Sequence, residues 1–315
     1  MTTTLVLGGA GFIGRPLARV MLDAGEVAIL HRGNTILPDG VTPVVADRGD
    51  PTAVLAAVRQ VRPDVVIDLL AMTAADTLPL FDRLRGEVGR YCLVSSADVY
   101  RNYSGLHRKA APEPVLGLIG EDSPLRETRF PYRGAEPRPF DDPARWLDDY
   151  DKIPLEAALA SGGLDWTVLR LPMVFGPADR QRRFDWILRP MLAGAARLVI
   201  PRRWADWRTS YGFVDDVAAG VALAARQPAA AMRTFNLGMA DAPDHESWAR
   251  SFAAALDWRG EIVVSDAPPE GPLGRAIAAL DLSYSLALDT RRIRRELGYE
   301  EPCAEVDAIR QTAAS

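Results

Sequence analysis

Cysteine and histidine are scarce, at two and three residues in a chain of 315. Cys92 and Cys303 stand far apart and neither begins a CxxC or CxxH spacing, which argues against structural zinc and fits a reducing compartment. His107 and His245 have no partner ligands nearby in the sequence, so no metal site is expected. No run of about 18 apolar residues occurs, which excludes a membrane-spanning helix. The opening "MTTTLVLGGAGFIG" lacks the basic stretch of a signal peptide, so the expected location is cytoplasmic. Positive charge is not in excess either: 37 Lys and Arg face 42 Asp and Glu, a net −5, which provides no general attraction to nucleic acid.

What remains is an ordinary globular composition, 48% hydrophobic and 25% charged, long enough for about two domains or one large domain with a smaller lobe. Over the first hundred residues short apolar runs (4–7, 27–30, 43–46, 65–70 and 91–96) alternate with segments of helical spacing (12–24, 51–61 and 77–86). Strict alternation of this kind predicts an α/β fold with a doubly wound parallel sheet of Rossmann type, whose strands are covered on both faces. The predicted division is a dinucleotide-binding domain over 1–175 and a substrate-binding lobe over 176–315, some of whose segments return to the sheet. Seven of the 24 prolines fall in 112–143, within an irregular excursion over about 101–145 that reads either as a surface loop or as an active-site cover.

The first strand runs directly into Gly8-Gly9-Ala10-Gly11-Phe12-Ile13-Gly14 and then a helix, the setting that a dinucleotide-binding turn requires. Gly8, Gly11 and Gly14 permit the tight turn, the close approach of a pyrophosphate and the packing of helix on strand, while the helix start offers N–H groups to anionic oxygens. The second strand ends in His31-Arg32-Gly33, with no carboxylate to repel a 2′-phosphate and a guanidinium able to bind one. Arg15 could reach the same region. The cofactor expectation is therefore NADP, with NAD as the alternative.

"GGAGFIG", "VVADRGD" (44–50), "LVSSADVY" (93–100), "LRLPMVFGP" (169–177), "YGFVDDVA" (211–218) and "RRELGY" (294–299) follow one another in an order that resembles the extended short-chain dehydrogenase/reductase superfamily, the NAD(P)-dependent epimerase/dehydratase family. The resemblance implies hydride transfer on a carbonyl or secondary alcohol, by a reductase, epimerase or dehydratase, with a sugar nucleotide or small ketone as substrate. It implies Ser96 as the residue that binds the substrate oxygen, and Gly8, Gly11, Phe12, Ile13, Gly14, His31, Arg32, Asp47, Leu70, Lys152 and Pro172 around the cofactor. Tyr100 and Arg208 are implied beside Ser96 at the substrate, and a homodimer is implied by the family's habit. A catalytically silent nucleotide-binding scaffold, or an RNA-binding relative of the same fold, is the alternative.

The family's device is Tyr-x-x-x-Lys on one helix face, the lysine lowering the phenol pKa and holding ribose. Here Lys152 fits the lysine place, yet Asp148 stands four residues before it and the tyrosine, Tyr150, only two before, about 200° round a helix. If Pro154 marks a helix start near 153–154, residues 148–152 are extended or irregular, and in an extended segment positions two apart face the same way. On that reading Tyr150 shuttles the proton; otherwise it only packs the helix entry. Arginines at 180, 182, 183, 202, 203 and 208, interleaved with Trp186, Trp204 and Trp207, read either as a phosphate and ring grip or as surface charge beside core aromatics.

Overall fold

Eleven strands occur among residues 2–267 and 270–315, which the computed structural model describes. They are β1 (Thr2–Leu7), β2 (Gly25–His31), β3 (Thr42–Val45), β4 (Val65–Asp68), β5 (Arg90–Ser96), β6 (Trp166–Leu171), β7 (Met173–Phe175), β8 (Arg197–Pro201), β9 (Tyr211–Phe213), β10 (Arg233–Asn236) and β11 (Glu261–Ser265). Seven of them form one parallel sheet in the order β10-β6-β5-β4-β1-β2-β3. Leu5, Val6 and Leu7 of β1 have no exposed surface, because apolar layers lie on both faces of the sheet. The apolar runs are continuous for that reason.

Helix α1 (Gly14–Leu22) follows β1, and α2 (Pro51–Val61) and α3 (Ala74–Leu84) make the crossovers around β4. Asp50 caps α2, its Oδ1 accepting from Thr52 N–H at 2.8 Å and Ala53 N–H at 3.2 Å, with Pro51 at the first helical position. The strand order reverses between β1 and β4, so a crevice opens at their carboxyl ends, where open α/β sheets bind ligands. A buried cluster stiffens that end: Arg48 Nη2 lies 2.5 Å from Asp68 Oδ2, and the Tyr91 hydroxyl donates to the same oxygen at 2.5 Å. Asp68 Oδ1 accepts from Leu70 N–H at 2.8 Å, which shapes the loop leaving β4.

Strand β10, from the carboxyl-terminal half, lies beside β6 at the sheet edge. Of the two small parallel pairs, β7 with β9 and β8 with β11, the sequence points to a strand only at 261–264, in β11; β7 and β9, of three residues each, carry too little periodicity to be read. The excursion opens with a helix, α4 (Arg101–Leu106), and its later turns pack back onto the body: Tyr100 bridges Leu125, and Ile119 bridges Leu288. Helix α5 (Ile153–Ser161) begins at the start that Pro154 marks, with Pro154 in its first turn.

Candidate active site

The turn after β1 is built on backbone contacts. Gly8 has φ +93, and its carbonyl accepts from Gly11 N–H at 3.0 Å. A Cβ on Gly14 would stand 2.3 Å from that same carbonyl oxygen, so α1 packs against the turn only with glycine there. Among the described residues no side chain caps α1, and its first turn carries no carboxylate. Arg15 N–H is bonded to Gly11 O and Leu17 N–H to Ile13 O, and Pro16 has none, so the N–H groups left for an anion among the described residues are those of Phe12, Ile13 and Gly14, where a dinucleotide pyrophosphate fits the turn. Phe12 and Ile13 are half-buried on the turn, and Leu70, 42% exposed, covers Gly8 from the β4 side.

At the end of β2 the His31 Nδ1 accepts from Gly33 N–H at 3.1 Å, while its Nε2 is buried without a partner among the described residues. Arg32 is exposed, and Asp47 is exposed with its Oδ1 accepting from Gly49 N–H at 2.9 Å. Arg15 donates to Ala10 O at 3.1 Å and Ile36 O at 2.5 Å, tying the glycine turn to the loop after β2. Pro172, half-buried between β6 and β7, packs near Gly238 on the opposite wall.

Tyr150 and Lys152 come together. Tyr150 pairs antiparallel with Thr73, and Asp151 N–H donates to Met72 O at 3.2 Å, which pins these two residues to the loop that leaves β4. The expected extension of 148–152 is not found, since Arg145–Asp148 form a 3-10 turn, Asp149 has φ −107 and ψ 0, and Lys152 is already helical at φ −79 and ψ −26. Both side chains turn inward, with Lys152 Nζ 5.6 Å from the Tyr150 ring centre. Lys152 Nζ donates to Ala71 O at 2.5 Å and Val94 O at 3.0 Å. The Tyr150 hydroxyl donates to Asp98 Oδ2 at 2.9 Å. Burial, followed by the charge of Asp98, pushes the phenol well above its ordinary pKa, and the Ser96 hydroxyl opposes that shift. Ser96 ends β5, and its Oγ accepts from Asp98 N–H at 3.2 Å, which turns the chain at the sheet's carboxyl edge.

Asp148 serves elsewhere. It is 1% exposed and pairs with Arg138 and, at 2.5 Å, Arg145 of the excursion. Asp151, between the two inward residues, meets Arg126 at 2.6 Å and Arg129 at 2.5 Å. The excursion thereby reaches the site. Arg126 also donates to Asp98 O at 2.8 Å, and the Tyr132 hydroxyl donates to Asp98 Oδ2 at 3.0 Å. Asp98, Arg126 and Tyr132 were not among the residues expected from the sequence.

The two substrate expectations sit differently in the fold, and only Tyr100 is corrected by it. Tyr100 has no exposed surface: its hydroxyl donates to Asn236 Oδ1 at 2.6 Å and accepts from Arg170 at 3.0 Å, because the 3-10 turn Ala97–Val99 carries it to the interior. No face of Tyr100 is left for a substrate. Arg208 is exposed but donates to Ala242 O at 2.8 Å and shares no hydrogen bond with the Ser96–Tyr150 group among the described residues. The tryptophans pack into one aromatic cluster: Trp204 stacks on Trp207 at 5.2 Å and meets His245 at 4.1 Å. Burial lowers the His245 pKa to about 3, so this imidazole is neutral.

Burial also lowers the Lys152 ammonium, to about 8. Between about 8 and the ordinary 10.5 the unfolded chain then binds the proton more tightly than the folded one, so this residue's contribution to stability rises with pH across that window. Urea unfolding of the wild type and Lys152→Met is therefore expected to show the variant's relative advantage shrinking from pH about 7.5 to pH about 9.5. A constant difference contradicts it.

With Ser96, Tyr150 and Lys152 beside a glycine turn at the sheet's switch point, the fold defines a dinucleotide-dependent enzyme of epimerase and reductase type. A model of the NAD dependent epimerase/dehydratase family matches residues 4–78 and 153–238, about half of the chain, and the chain belongs to that family. The match leaves out 79–152, which carries Ser96, Asp98 and Tyr150. The chain is 31% identical over 229 residues to a 3-diazoavenalumate denitrifying reductase of Streptomyces sp, covering 70% of this chain and 71% of that protein. It is 28% identical over 267 residues to the dTDP-4-dehydrorhamnose reductase of Burkholderia thailandensis, covering 81% and 78%. The crystal structure of Thermus thermophilus UDP-glucose 4-epimerase with NAD superposes with a TM-score of 0.68 at 21% identity, covering 99% of this chain and 98% of that one.

Proposed function

We propose that the protein is an NADP(H)-dependent reductase that adds hydride and proton across a carbonyl group, reversibly, on a small ketone or a keto sugar nucleotide. The observation that carries this reading is the convergence of Ser96, Tyr150 and Lys152 at the sheet's carboxyl edge, with Tyr150 and Lys152 brought together by an irregular turn pinned to Thr73 rather than by one helix face. The bound dinucleotide supplies the hydride. Ser96 holds the substrate oxygen, Tyr150 moves the proton to it, and Lys152 keeps one ammonium hydrogen for the cofactor ribose after donating two to Ala71 O and Val94 O. Two relatives named as reductases support this direction. The test is loss of the reduced-nicotinamide absorbance across dTDP- and UDP-keto sugars and aryl and alkyl ketones. NADPH binding with no oxidation by any of them supports a nucleotide-binding scaffold instead.

The preference for NADP(H) rests on Arg32, exposed at the end of a β2 that lacks a carboxylate, and on Arg15, held at the neighbouring Ile36 O. A guanidinium there meets a 2′-phosphate with two charge-assisted bonds. Arg32→Asp is expected to weaken NADPH by roughly 1.5–3 kcal/mol, the scale of a hydrogen bond to a charged group. Dissociation constants for both cofactors check it, and tighter binding of NADH than NADPH by the wild type overturns it.

A further inference from the structure

Asp98 is 3% exposed, and two phenols converge on one of its oxygens: Oδ2 accepts from Tyr150 at 2.9 Å and Tyr132 at 3.0 Å. Its Oδ1 is buried and has no partner among the described residues. The groups that face it are Ser96 on its own turn, Tyr103 from α4, Tyr132 and Arg126 from the excursion, and Tyr150 and Lys152 from the stretch before α5. The two cations are spent on other oxygens: Arg126 on Asp151 and backbone carbonyls, Lys152 on Ala71 O and Val94 O. Two of the three Lys152 hydrogens are thus taken and none is bonded to the phenol oxygen among the described residues, and a tyrosinate left beside an ionised Asp98 is disfavoured by burial and by like charge together.

We propose that Asp98 is a positioning residue that stores the proton Tyr150 delivers, so that the phenol relays a proton rather than ending as tyrosinate. This rests on the hydride-transfer reading above. With Asp98 ionised, the 2.9 Å contact runs from the phenol to the carboxylate. With Asp98 protonated, the same contact runs from the carboxyl to the phenol oxygen and frees the phenol hydrogen for the substrate. In reduction the C=O π bond breaks as hydride forms the new C–H bond. The Tyr150 O–H bond breaks as the product O–H bond forms, and the Asp98 O–H bond breaks as Tyr150 regains its proton. Asp98 ends as carboxylate, the dinucleotide ends oxidised, and solvent returns the proton. Burial raises the Asp98 carboxyl above its ordinary range against the opposing pull of Tyr150, Arg126, Tyr132 and Ser96. The reduction rate accordingly falls as pH rises through that raised value, and the oxidation rate rises.

Protein labelled at the tyrosine ζ carbon, titrated by NMR from pH about 4.5 to about 9, tests this without cofactor or substrate, the Tyr150 resonance being assigned with Tyr150→Phe. The expected result is an inflection of Tyr150 clearly above the ordinary carboxylate range of about 4 that is absent in Asp98→Asn. A flat Tyr150 resonance, an inflection near 4, or one that survives Asp98→Asn overturns the proposal. If Asp98→Asn does not fold, Asp98→Glu serves, and an unmoved inflection overturns it equally. In reduction of 9,10-phenanthrenequinone by NADPH, Asp98→Asn is expected to lower kcat about tenfold with KM unchanged, and to abolish the fall at high pH, which Asp98→Glu restores. If Tyr150→Phe leaves quinone reduction intact while the NMR inflection is present, the hydride-transfer reading fails and the Asp98–Tyr150 coupling stands.

Discussion

Tyr150→Phe is expected to lower turnover by about 10² or more, the scale of a lost proton-transfer group, with cofactor affinity unchanged. The substitution removes one oxygen from a ring that is otherwise packed against Tyr132 at 5.0 Å and Trp146 at 6.2 Å, so the fold persists and the loss reads as chemistry. Lys152→Met is expected to lower turnover on the same scale and to weaken the cofactor too, because its ammonium stands between the β4 loop and β5. Asp148→Asn separates this assignment from its rival. Asp148 occupies the family tyrosine's sequence position but binds Arg138 and Arg145. Its loss is expected to loosen the excursion and leave the chemistry within a few fold. Steady-state rates on a carbonyl substrate decide: a silent Tyr150→Phe beside a crippled Asp148→Asn places the proton shuttle at Asp148.

The pairing of Tyr150 with Lys152 was legible to the extent that Pro154 marked a helix start, which takes Tyr150 off the helix; the extended backbone expected over 148–152 is instead an irregular turn with Lys152 already helical. What holds that turn in place was not legible, because it comes from far away in sequence: Thr73 across the bridge, and Arg126 and Arg129 on Asp151. Asp98 gave little signal for a similar reason. A carboxylate two residues after a strand looks like a turn former, and only the arrival of Tyr132 from the irregular excursion makes it a two-phenol acceptor. Tyr100 shows the converse. Its place after Ser96 in "SADVY" suggested the site, whereas a single 3-10 turn sends the ring toward Asn236 and Arg170. The parallel sheet was readable throughout because burial on both faces writes itself as continuous apolar runs.

Gly11→Val is expected to abolish dinucleotide binding while leaving the protein folded, and the glycine turn shows why the two effects separate. A Cβ on Gly8 would stand 2.8 Å from the Leu70 side chain, and one on Gly14 2.3 Å from Gly8 O, so side chains at either position strike the protein itself. A Cβ on Gly11 meets only Gly8 O, at 3.3 Å, a contact that a few tenths of an ångström relieve. Gly11 is exposed and its φ is not in the left-handed region, so valine costs little backbone strain. The added methyl groups take up space on the open side of the turn, beside the unpaired N–H groups of Phe12, Ile13 and Gly14 that the proposed site offers to a pyrophosphate. Steric exclusion at that point removes the closest backbone approach, and neither Arg32 nor Lys152 replaces it. Calorimetry with NADPH and a thermal melt on the same sample check both halves: an unchanged melt with no detectable binding is the expected pair. Unchanged affinity takes the glycine turn out of the cofactor site, and a collapsed melt shows that Gly11 serves the fold as Gly14 does.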